Sequence, residues 1–358
     1  MTKRILITGA GGFIGKKLAK AFVEAGFSVR AMDISPEPLK EPINFGAEPV
    51  IARLEDKDAI SKAVAGVDTV IAAGAVFDLA APISVMRSAN VDGVRNLAEA
   101  SLMHDVEQYI HFSTVGVYGR PAEVPCKSDS PKNPRNNYEK TKWEGEQLFW
   151  SLMKGKAVCA SAVRPTLVYG PGSRYGHAMF LSILELIGIK KRKLPLIIGS
   201  YKNHHVHVDD VVEAVLCIAQ HPDRVKDKVF NIADESPVNI EEFCKSLADA
   251  LNFEYGKSFK ISQRLWDIVI GFSMHVPDFL FKRINDRIYK HWSWLCSKYG
   301  IEQALRPRFD KDWLGYFKGD HIYDTSELKE LGYKFKYPLF REGMKTTVDW
   351  YREHKWLV

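Results

Sequence analysis

Long hydrophobic runs are missing from this 358-residue sequence. No uncharged apolar stretch approaches the ~20 residues that a helix needs to cross a bilayer. The apolar segment at 5–7 is too short for the hydrophobic region of a secretory signal peptide, and it continues directly into a glycine-rich loop. We therefore expect a cytoplasmic protein.

Cysteine is scarce as well. The five cysteines are odd in number and scattered, and no two of them form a Cys-x-x-Cys pair. This pattern argues against a disulfide framework and against a zinc site, and it is typical of a reducing compartment. The residues are Cys126, Cys159, Cys217, Cys244 and Cys296.

A strong excess of one charge is also lacking, because 50 Lys and Arg against 44 Asp and Glu leave a net charge of +6. The densest basic cluster lies at 190–193, and no charged stripe with interleaved aromatic residues accompanies it. Such a cluster is typical of a solvated helix end rather than of a nucleic-acid surface. We expect no nucleic-acid partner.

The first half of the chain alternates short apolar runs with amphipathic segments. Apolar runs are typical of buried parallel strands, and the amphipathic segments are typical of helices that cover them. The predicted strands span 4–8, 28–32, 50–54, 68–75, 108–115 and 158–163, and the predicted helices span 13–25, 57–65, 84–104 and 138–153. This alternation indicates an α/β fold with a doubly wound parallel sheet and right-handed crossovers.

Beyond the Gly-Pro-Gly segment at 170–172 the regular alternation stops, and from about residue 235 the chain is rich in aromatic and basic residues. We predict a helix over 180–188, an extended segment over 194–199, a helix over 211–219 capped by Asp209, and a short strand over 230–232. The chain therefore divides into a main domain over 1–170, to which 203–232 returns, and a smaller α/β lobe over 171–202 and 233–358.

A glycine-rich loop, Thr-Gly-Ala-Gly-Gly-Phe-Ile-Gly at 8–15, links the first predicted strand to the first predicted helix. A pyrophosphate needs free N–H groups at a helix N-terminus, where the helix dipole favours negative charge. Gly9 can form the tight turn, Gly12 lets the backbone approach the phosphates, and Gly15 lets the helix pack on the strand. A plain strand–helix turn can also contain three glycines, but this context indicates a Rossmann-type dinucleotide site.

Asp33 ends the second predicted strand. A carboxylate at this place accepts hydrogen bonds from a ribose 2′-hydroxyl and repels a 2′-phosphate. Ile34 and Ser35 follow without an adjacent cation, and Arg30 is the nearest basic residue. We therefore predict NAD rather than NADP as the cofactor.

Tyr138 and Lys142 are four residues apart, so on a helix they share one face. A tyrosine with its ordinary pKa of about 10 is a poor base, but a neighbouring ammonium favours the phenolate. The phenolate could take a hydroxyl proton while hydride leaves for a nicotinamide. A solvated i,i+4 pair has the same spacing, but the position after five strands favours catalysis. Ser113 and Thr114, at the tip of the fifth strand, can hold the same substrate oxygen.

Together these motifs resemble the extended short-chain dehydrogenases/reductases, the NAD-dependent epimerase/dehydratase superfamily. The resemblance covers most of the chain, and its other matching segments lie at 90–93, 113–119, 164–172, 207–210, 230–234 and 323–350. It implies that Tyr138 is the catalytic acid/base, that Lys142 lowers its pKa and holds the ribose, and that Thr114 is the catalytic hydroxyl, with Ser113 one place before it.

The resemblance also implies the remaining cofactor contacts. These are Phe13 and Ile14 over the pyrophosphate, Pro165 beside the nicotinamide, and Leu54, Ala73 and Ala75 along the cofactor. Two departures stand out. Arg53 replaces a usual Asp near the adenine, and the segment at 72–75 lacks the polar contact of the usual His-Leu-Ala-Ala.

Three positions bear on the substrate. Sugar 4,6-dehydratases of this superfamily carry an Asp-Glu pair where Val and Gly stand at 115–116. Nucleotide-sugar enzymes often have an Asn at the place of Leu167 and an Arg at the place of Asn203, both of which bind the diphosphate. A diphosphate here would need other cations, such as Arg174 or Lys202. The resemblance is therefore closest in character to sterol-type 3β-hydroxysteroid dehydrogenases.

The segment 265–281 is strongly apolar but carries Asp267, His275 and Asp278. Three interpretations stay open: a lid, part of the lobe's core, or an interfacial helix pair that gives the protein a peripheral membrane contact. The His-x-His segment at 205–207 could suggest a metal, but it matches the family's strand-to-helix junction, and we expect no metal.

The sequence thus predicts an NAD-dependent oxidoreductase that acts on a secondary alcohol or ketone of a hydrophobic small molecule, sterol-like or long-chain. One alternative is a nucleotide-sugar 4-epimerase or reductase. A second is a non-catalytic dinucleotide-sensing protein with the same fold. The resemblance further implies a homodimer that pairs through the helices at 84–104 and 138–153.

Overall fold

The computed structural model describes residues 2–77, 81–189, 191–199, 201–309, 316 and 318–358. Its strands, in chain order, are β1 (Arg4–Thr8), β2 (Ser28–Asp33), β3 (Glu48–Ile51), β4 (Thr69–Ala72), β5 (Gln108–Phe112), β6 (Cys159–Pro165), β7 (Leu167–Tyr169), β8 (Lys193–Ile198), β9 (Lys202–Asn203), β10 (His205–His207), β11 (Lys228–Ile232), β12 (Val238–Asn239) and β13 (Glu254–Lys260).

The α-helices cover the faces of the sheet and build the smaller lobe. They are α1 (Phe13–Glu24), α2 (Lys40–Asn44), α3 (Lys57–Val64), α4 (Ile83–Arg87), α5 (Gly93–Met103), α6 (Asn137–Met153), α7 (His177–Gly188), α8 (Val208–Gln220), α9 (Pro222–Val225), α10 (Ile240–Leu251), α11 (Gln263–Met274), α12 (Asp278–Tyr299), α13 (Ser326–Glu330) and α14 (Phe340–Glu353).

Seven strands form one sheet in the order β11-β6-β5-β4-β1-β2-β3, and each neighbouring pair is parallel. In β1, Ile5, Leu6 and Ile7 are all buried, because helices pack on both faces of the sheet. The order of strands along the chain reverses between β1 and β4, which opens a crevice at their carboxyl ends. The prediction of a Rossmann-type doubly wound sheet is confirmed.

The smaller lobe has its own apolar core. Helices α7, α10, α12 and α14 supply buried side chains that include Leu247, Trp292 and Phe340. Strand β8 pairs in parallel with β13, and β9 pairs with β12 in the antiparallel direction. Strand β13 was not predicted, because its residues are mostly exposed and follow no apolar alternation.

Several predicted boundaries were wrong. The strand expected at 50–54 is Glu48–Ile51, an edge strand whose side chains are mostly exposed. The strand expected at 108–115 ends at Phe112, because residues Val115–Tyr118 turn into a 3₁₀ helix. Helix α8 is capped by His207, whose Nδ1 accepts a hydrogen bond from the backbone N–H of Asp209, and Asp209 itself lies in the first turn.

The helix expected at 84–104 is interrupted. Residues Ser88–Asp92 form a π-helical segment between α4 and α5. The buried Asn90 lies in this segment, where its amide exchanges two hydrogen bonds with the backbone of Val76, at 2.9 and 3.2 Å, and donates to Thr141. The π-helical turn therefore contains a buried amide that links this helix to the backbone of Val76 and to Thr141 of α6.

Within the described residues, no helix combines the length and the apolar composition needed to cross a membrane.

Candidate active site

The glycine-rich loop is closely packed at the carboxyl end of β1. Gly9 has a positive φ of 65°, and a Cβ added there would lie 2.7 Å from the Cα of Gly74. A Cβ on Gly15 would lie 2.0 Å from the carbonyl oxygen of Gly9. Gly12 precedes the first residue of α1 and is exposed. This arrangement leaves bare backbone at a helix N-terminus, as a pyrophosphate requires.

Gly11 is a loop residue that the sequence analysis missed. Its N–H donates a 2.9 Å hydrogen bond to Oδ2 of Asp33, and an added Cβ would come within 2.2 Å of Pro38. The available signal was the first glycine of the Gly-Gly pair in the loop, which is not part of the series of glycines spaced three residues apart.

The carboxylate of Asp33 is held by the backbone at the end of β2. Oδ2 accepts from Gly11, and Oδ1 accepts from the N–H of Ile34 at 2.7 Å. Arg30, the nearest base in the sequence, points elsewhere and donates to the carbonyl oxygens of Ala63 and Ala65. Asp33 therefore faces the cavity as a fixed anion, which fits ribose hydroxyls and opposes a 2′-phosphate.

One cavity of about 730 Å³ extends from the glycine loop to the smaller lobe. Every residue predicted from the sequence for cofactor binding or catalysis lines it. These are Gly9, Gly12, Phe13, Ile14, Gly15, Asp33, Leu54, Ala73, Ala75, Ser113, Thr114, Tyr138, Lys142 and Pro165. The fold thus brings segments from β1 to β6 together around a space that fits a dinucleotide and a substrate, while the role of each residue stays a prediction.

Tyr138 lies in the first turn of α6, which is capped by Asn136 through a hydrogen bond from the N–H of Glu139. Its ring packs edge-on against Phe77, with the ring centres 4.8 Å apart. Burial raises the pKa of the Tyr138 hydroxyl above its ordinary value, and the Glu139 carboxylate adds to this. In the protein alone the pKa thus moves in the opposite direction to that expected from the Tyr/Lys spacing.

The Lys142 side chain is attached to the end of the neighbouring strand. Its ammonium is buried and donates a 2.6 Å hydrogen bond to the carbonyl oxygen of Phe112, the last residue of β5. Burial lowers the pKa of Lys142 to about 8, and the Glu146 carboxylate opposes that shift. The cation is therefore fixed at the strand end, where it remains mostly protonated at neutral pH.

A buried ion pair joins α6 to strand β6. The Arg164 guanidinium on β6 donates two hydrogen bonds to the carboxylate of Glu146, one of them 3.0 Å long. It also donates to the hydroxyl of Tyr118 and to the carbonyl oxygen of Ser128. Desolvation raises the pKa of the Glu146 carboxyl, but the hydrogen bonds and charge of Arg164 outweigh it and hold that pKa below its usual range. The sequence analysis did not predict this network, because its partners are distant in the chain.

The two candidate hydroxyls differ in their surroundings. Thr114 Oγ1 accepts a 3.1 Å hydrogen bond from the N–H of Gly116, which leaves its own hydrogen available. Ser113 Oγ is buried and has no partner at good hydrogen-bond geometry, although it is near enough to Glu146 to help lower that pKa. Both residues line the cavity, and the partly exposed Thr114 is the better placed of the two to reach a substrate oxygen, since the Ser113 oxygen is buried.

The substrate end of the cavity is lined by aromatic, histidine and neutral side chains. Among the described lining residues beyond Lys142 there is no Lys or Arg on this side; they include Leu167, Tyr175, Phe180, Asn203, His204, Phe243, Tyr316 and His321. The two cations that the sequence offered for a diphosphate lie outside the lining. Arg174 stacks on Trp356 at 5.3 Å, and Lys202 is exposed on β9.

The clustered histidines have structural partners. His205 and His177 share a 3.0 Å hydrogen bond between Nδ1 and Nε2, and His204 Nδ1 accepts from the N–H of Tyr323. Burial lowers the pKa of His177 to about 3, so it is neutral. Over the described part of the chain, no group of three or more His, Cys, Asp or Glu side chains is arranged to hold a metal ion.

Comparison with known proteins agrees with this geometry. The model of the NAD dependent epimerase/dehydratase family matches residues 5–233. The 3-beta-hydroxysteroid dehydrogenase of Mycolicibacterium neoaurum is 23% identical over 368 residues, which cover 98% of this chain and 92% of that protein. The UDP-glucose 4-epimerase of Vibrio cholerae is 27% identical over 259 residues, which cover 70% of this chain and 77% of that protein.

A solved structure shares the fold. The UDP-glucose 4-epimerase of Thermus thermophilus in complex with NAD has a TM-score of 0.69 at 20% identity, over 98% of this chain and 99% of that one. The matched family model spans well over half of the chain and includes the glycine loop, Asp33 and the Tyr138/Lys142 pair. The chain therefore belongs to the NAD-dependent epimerase/dehydratase family and is an NAD-dependent enzyme.

Proposed function

We propose that this enzyme oxidises a secondary alcohol, or reduces the corresponding ketone, on a hydrophobic small molecule of sterol-like or long-chain character. The lining of the substrate end carries this proposal. Most of the lining surface of the cavity is apolar, and the polar side chains at this end are histidine, tyrosine, hydroxyl and amide groups without a fixed charge, which suits an apolar ligand better than an anionic one. A diphosphate would need cations, and the described residues of this end provide none beyond Lys142.

The cofactor end fits NAD. The exposed backbone at Gly12 and the N-terminus of α1 would hold the pyrophosphate, and the Asp33 carboxylate would accept hydrogen bonds from the ribose. Bound NAD supplies the hydride acceptor and a positive charge on its nicotinamide ring.

The protein residues would handle the proton. Thr114 and Ser113 would hold the substrate oxygen by hydrogen bonds, and the Tyr138 oxygen would take the hydroxyl proton on oxidation and return it on reduction. Because burial raises the pKa of Tyr138 in the protein alone, proton transfer requires positive charge near its hydroxyl. The fixed ammonium of Lys142 would supply part of that charge.

The test compares two assays on one preparation. NADH formation is followed with sterol-like and long-chain secondary alcohols, and epimerisation of UDP-glucose is followed without added NAD. We expect NADH formation that requires added NAD. Epimerisation without added NAD, with no NADH formed from the apolar alcohols, would instead establish the nucleotide-sugar 4-epimerase alternative, which the relatives that act on UDP-glucose favour.

A non-catalytic dinucleotide-sensing protein is the second alternative. The convergence of Tyr138, Lys142, Thr114 and Ser113 on one cavity argues against it, since a sensor needs only the cofactor end. It would bind NAD and turn over none of the substrates in either assay.

Pairing of two chains through 84–104 and 138–153 stays a prediction. The surface formed by these two segments includes an exposed bidentate ion pair between Arg87 and Glu144, with hydrogen bonds of 2.9 and 2.7 Å. Light scattering of the purified protein would give the mass of the assembly, and Arg87→Glu should lower that mass if this surface is the interface.

A further inference from the structure

Helix α11 presents its apolar side chains to solvent. Leu265, Ile268, Val269 and Phe272 are between 49% and 75% exposed. Their spacing of i, i+3, i+4 and i+7 places them on one face of the helix. A surface helix normally turns such a face towards the core, so the orientation here is inverted.

Contacts on the opposite side fix this orientation. Ile270 is buried, and the Asp267 carboxylate accepts a hydrogen bond from the hydroxyl of Tyr201, 3.2 Å from each oxygen. The helix is therefore attached to the lobe through its inner side, and the interpretation of 265–281 as part of the lobe's core was wrong for these apolar residues.

Helix α12 continues the exposed apolar surface and adds positive charge. After the short connection at 275–277, its first turns expose Phe279, Leu280 and Ile284. Four exposed cations follow on the same helix: Lys282, Arg283, Arg287 and Lys290. Within the part of the chain that the structure describes, these four form no ion pair. The exposed Asp286 lies among them, so the surface keeps a net positive charge.

We propose that this helix pair, α11 and α12, binds the surface of an anionic lipid bilayer. An interfacial helix buries an apolar face at the headgroup boundary and places Lys and Arg against anionic lipids, which is the combination found here. A two-fold contact between copies would bring the four cations of one chain near those of the other, which disfavours self-association.

The contact would lie beside the substrate end of the cavity. Tyr201, the partner of Asp267, immediately precedes β9, and Asn203 of β9 lines the cavity. Strand β9 pairs with β12, whose Val238 also lines the cavity. A substrate dissolved in the bilayer would thus have a short route to the site, although the lipid contact does not depend on the substrate class.

Vesicle flotation of the full chain tests the proposal. The protein is mixed with vesicles of phosphatidylcholine alone or of phosphatidylcholine with phosphatidylglycerol. We expect flotation with the anionic vesicles that weakens as salt is added. The double variant Leu265→Gln with Phe272→Gln should lower the partition coefficient by about tenfold for each side chain, and Lys282→Gln with Arg283→Gln by about fivefold for each charge.

Matched controls distinguish vesicle binding by this surface from nonspecific adsorption of the protein. Ile51→Gln removes an equally exposed apolar side chain from the edge strand β3, and Lys154→Gln with Lys156→Gln removes two exposed cations elsewhere. Both should float like the unaltered protein. Thermal unfolding checks that each variant folds, and because the substituted side chains are exposed, the midpoints should be unchanged.

Three outcomes would overturn the proposal. The unaltered protein fails to float with anionic vesicles, or the controls lose as much binding as the helix variants. In the third outcome the protein forms concentration-dependent dimers that the Leu265→Gln and Phe272→Gln pair abolishes without any effect on vesicle binding, in which case a second copy covers this surface.

Discussion

The Lys142 ammonium donates a 2.6 Å hydrogen bond to the carbonyl oxygen of Phe112. This contact joins the second turn of α6 to the carboxyl end of β5, and it sets the position of the cation before any ligand binds. Tyr138 lies one turn earlier on the same helix. The relationship makes the catalytic hypothesis testable with single substitutions.

Tyr138→Phe should lower kcat by about 10²–10⁴-fold, because it removes the proposed proton acceptor and keeps the ring that packs on Phe77. The affinity for NAD, measured by fluorescence titration, should change little. Tyr175→Phe is the matched control, since Tyr175 lines the same cavity and also packs on Phe77. Equal turnover in the Tyr138 variant and the unaltered protein would remove Tyr138 from the mechanism.

Asp33→Asn should weaken NAD binding by about tenfold or more, since charged hydrogen bonds to the ribose and to two backbone N–H groups are lost or weakened. The ratio of kcat/KM for NADP to that for NAD should rise, because the anion that opposes a 2′-phosphate is gone. Asp58→Asn, an exposed change at the first turn of α3, should leave both values unchanged. A preference of the unaltered enzyme for NADP would contradict the assignment.

Breaking the buried Arg164–Glu146 pair should be strongly destabilising. Either Arg164→Met or Glu146→Leu leaves one buried charge without its partner, and we expect each to lower the free energy of unfolding by about 3–5 kcal/mol. The double variant should lose less than the sum of the two, as measured by urea unfolding. Asp349→Asn, in an exposed i,i+4 pair with Lys345, should cost under about 0.5 kcal/mol. Additive losses in the double variant would show that the two groups are not coupled.

Glu185 should make stability fall as pH rises. Burial raises the pKa of this carboxyl to about 7, against the opposing charges of Arg352 and Arg192. Between pH 4.5 and 7 the folded protein holds a proton that the unfolded chain releases, so unfolding becomes easier as pH increases.

Glu185→Gln removes this dependence. At pH 8 the variant should be more stable by up to about 3 kcal/mol, from about 1.4 kcal/mol for each unit of pKa shift, and at pH 4.5 the two proteins should be equal. Thermal unfolding across this range measures the difference. Glu353→Gln, at an exposed position, should leave the pH profile as it is. A pH profile unaltered by Glu185→Gln would show that the carboxyl is not buried as described.

Much of the fold and the cofactor site could be predicted from local sequence. The strand, the glycine loop and the helix at 4–24 are adjacent in the chain, and the need for Gly9 and Gly15 follows from backbone packing within that unit. The boundaries at 50–54 and 84–104 were harder. The first segment forms an edge strand whose side chains are mostly exposed, and the second is interrupted where the buried Asn90 bonds to Val76. Neither feature produces a periodic pattern of apolar residues.

The amino-acid sequence by itself determined the parallel sheet, because apolar strands alternate with amphipathic helices along the first half of the chain. It also determined the dinucleotide loop and the Tyr138/Lys142 pair, because each is encoded by residues that are close together in the chain. Only the tertiary structure decided what surrounds them. The direction of the Tyr138 pKa shift, the attachment of Lys142 to Phe112 and the outward apolar face of α11 result from burial and from partners far apart in the chain. Local spacing carries no information about which side of a helix the rest of the protein will cover.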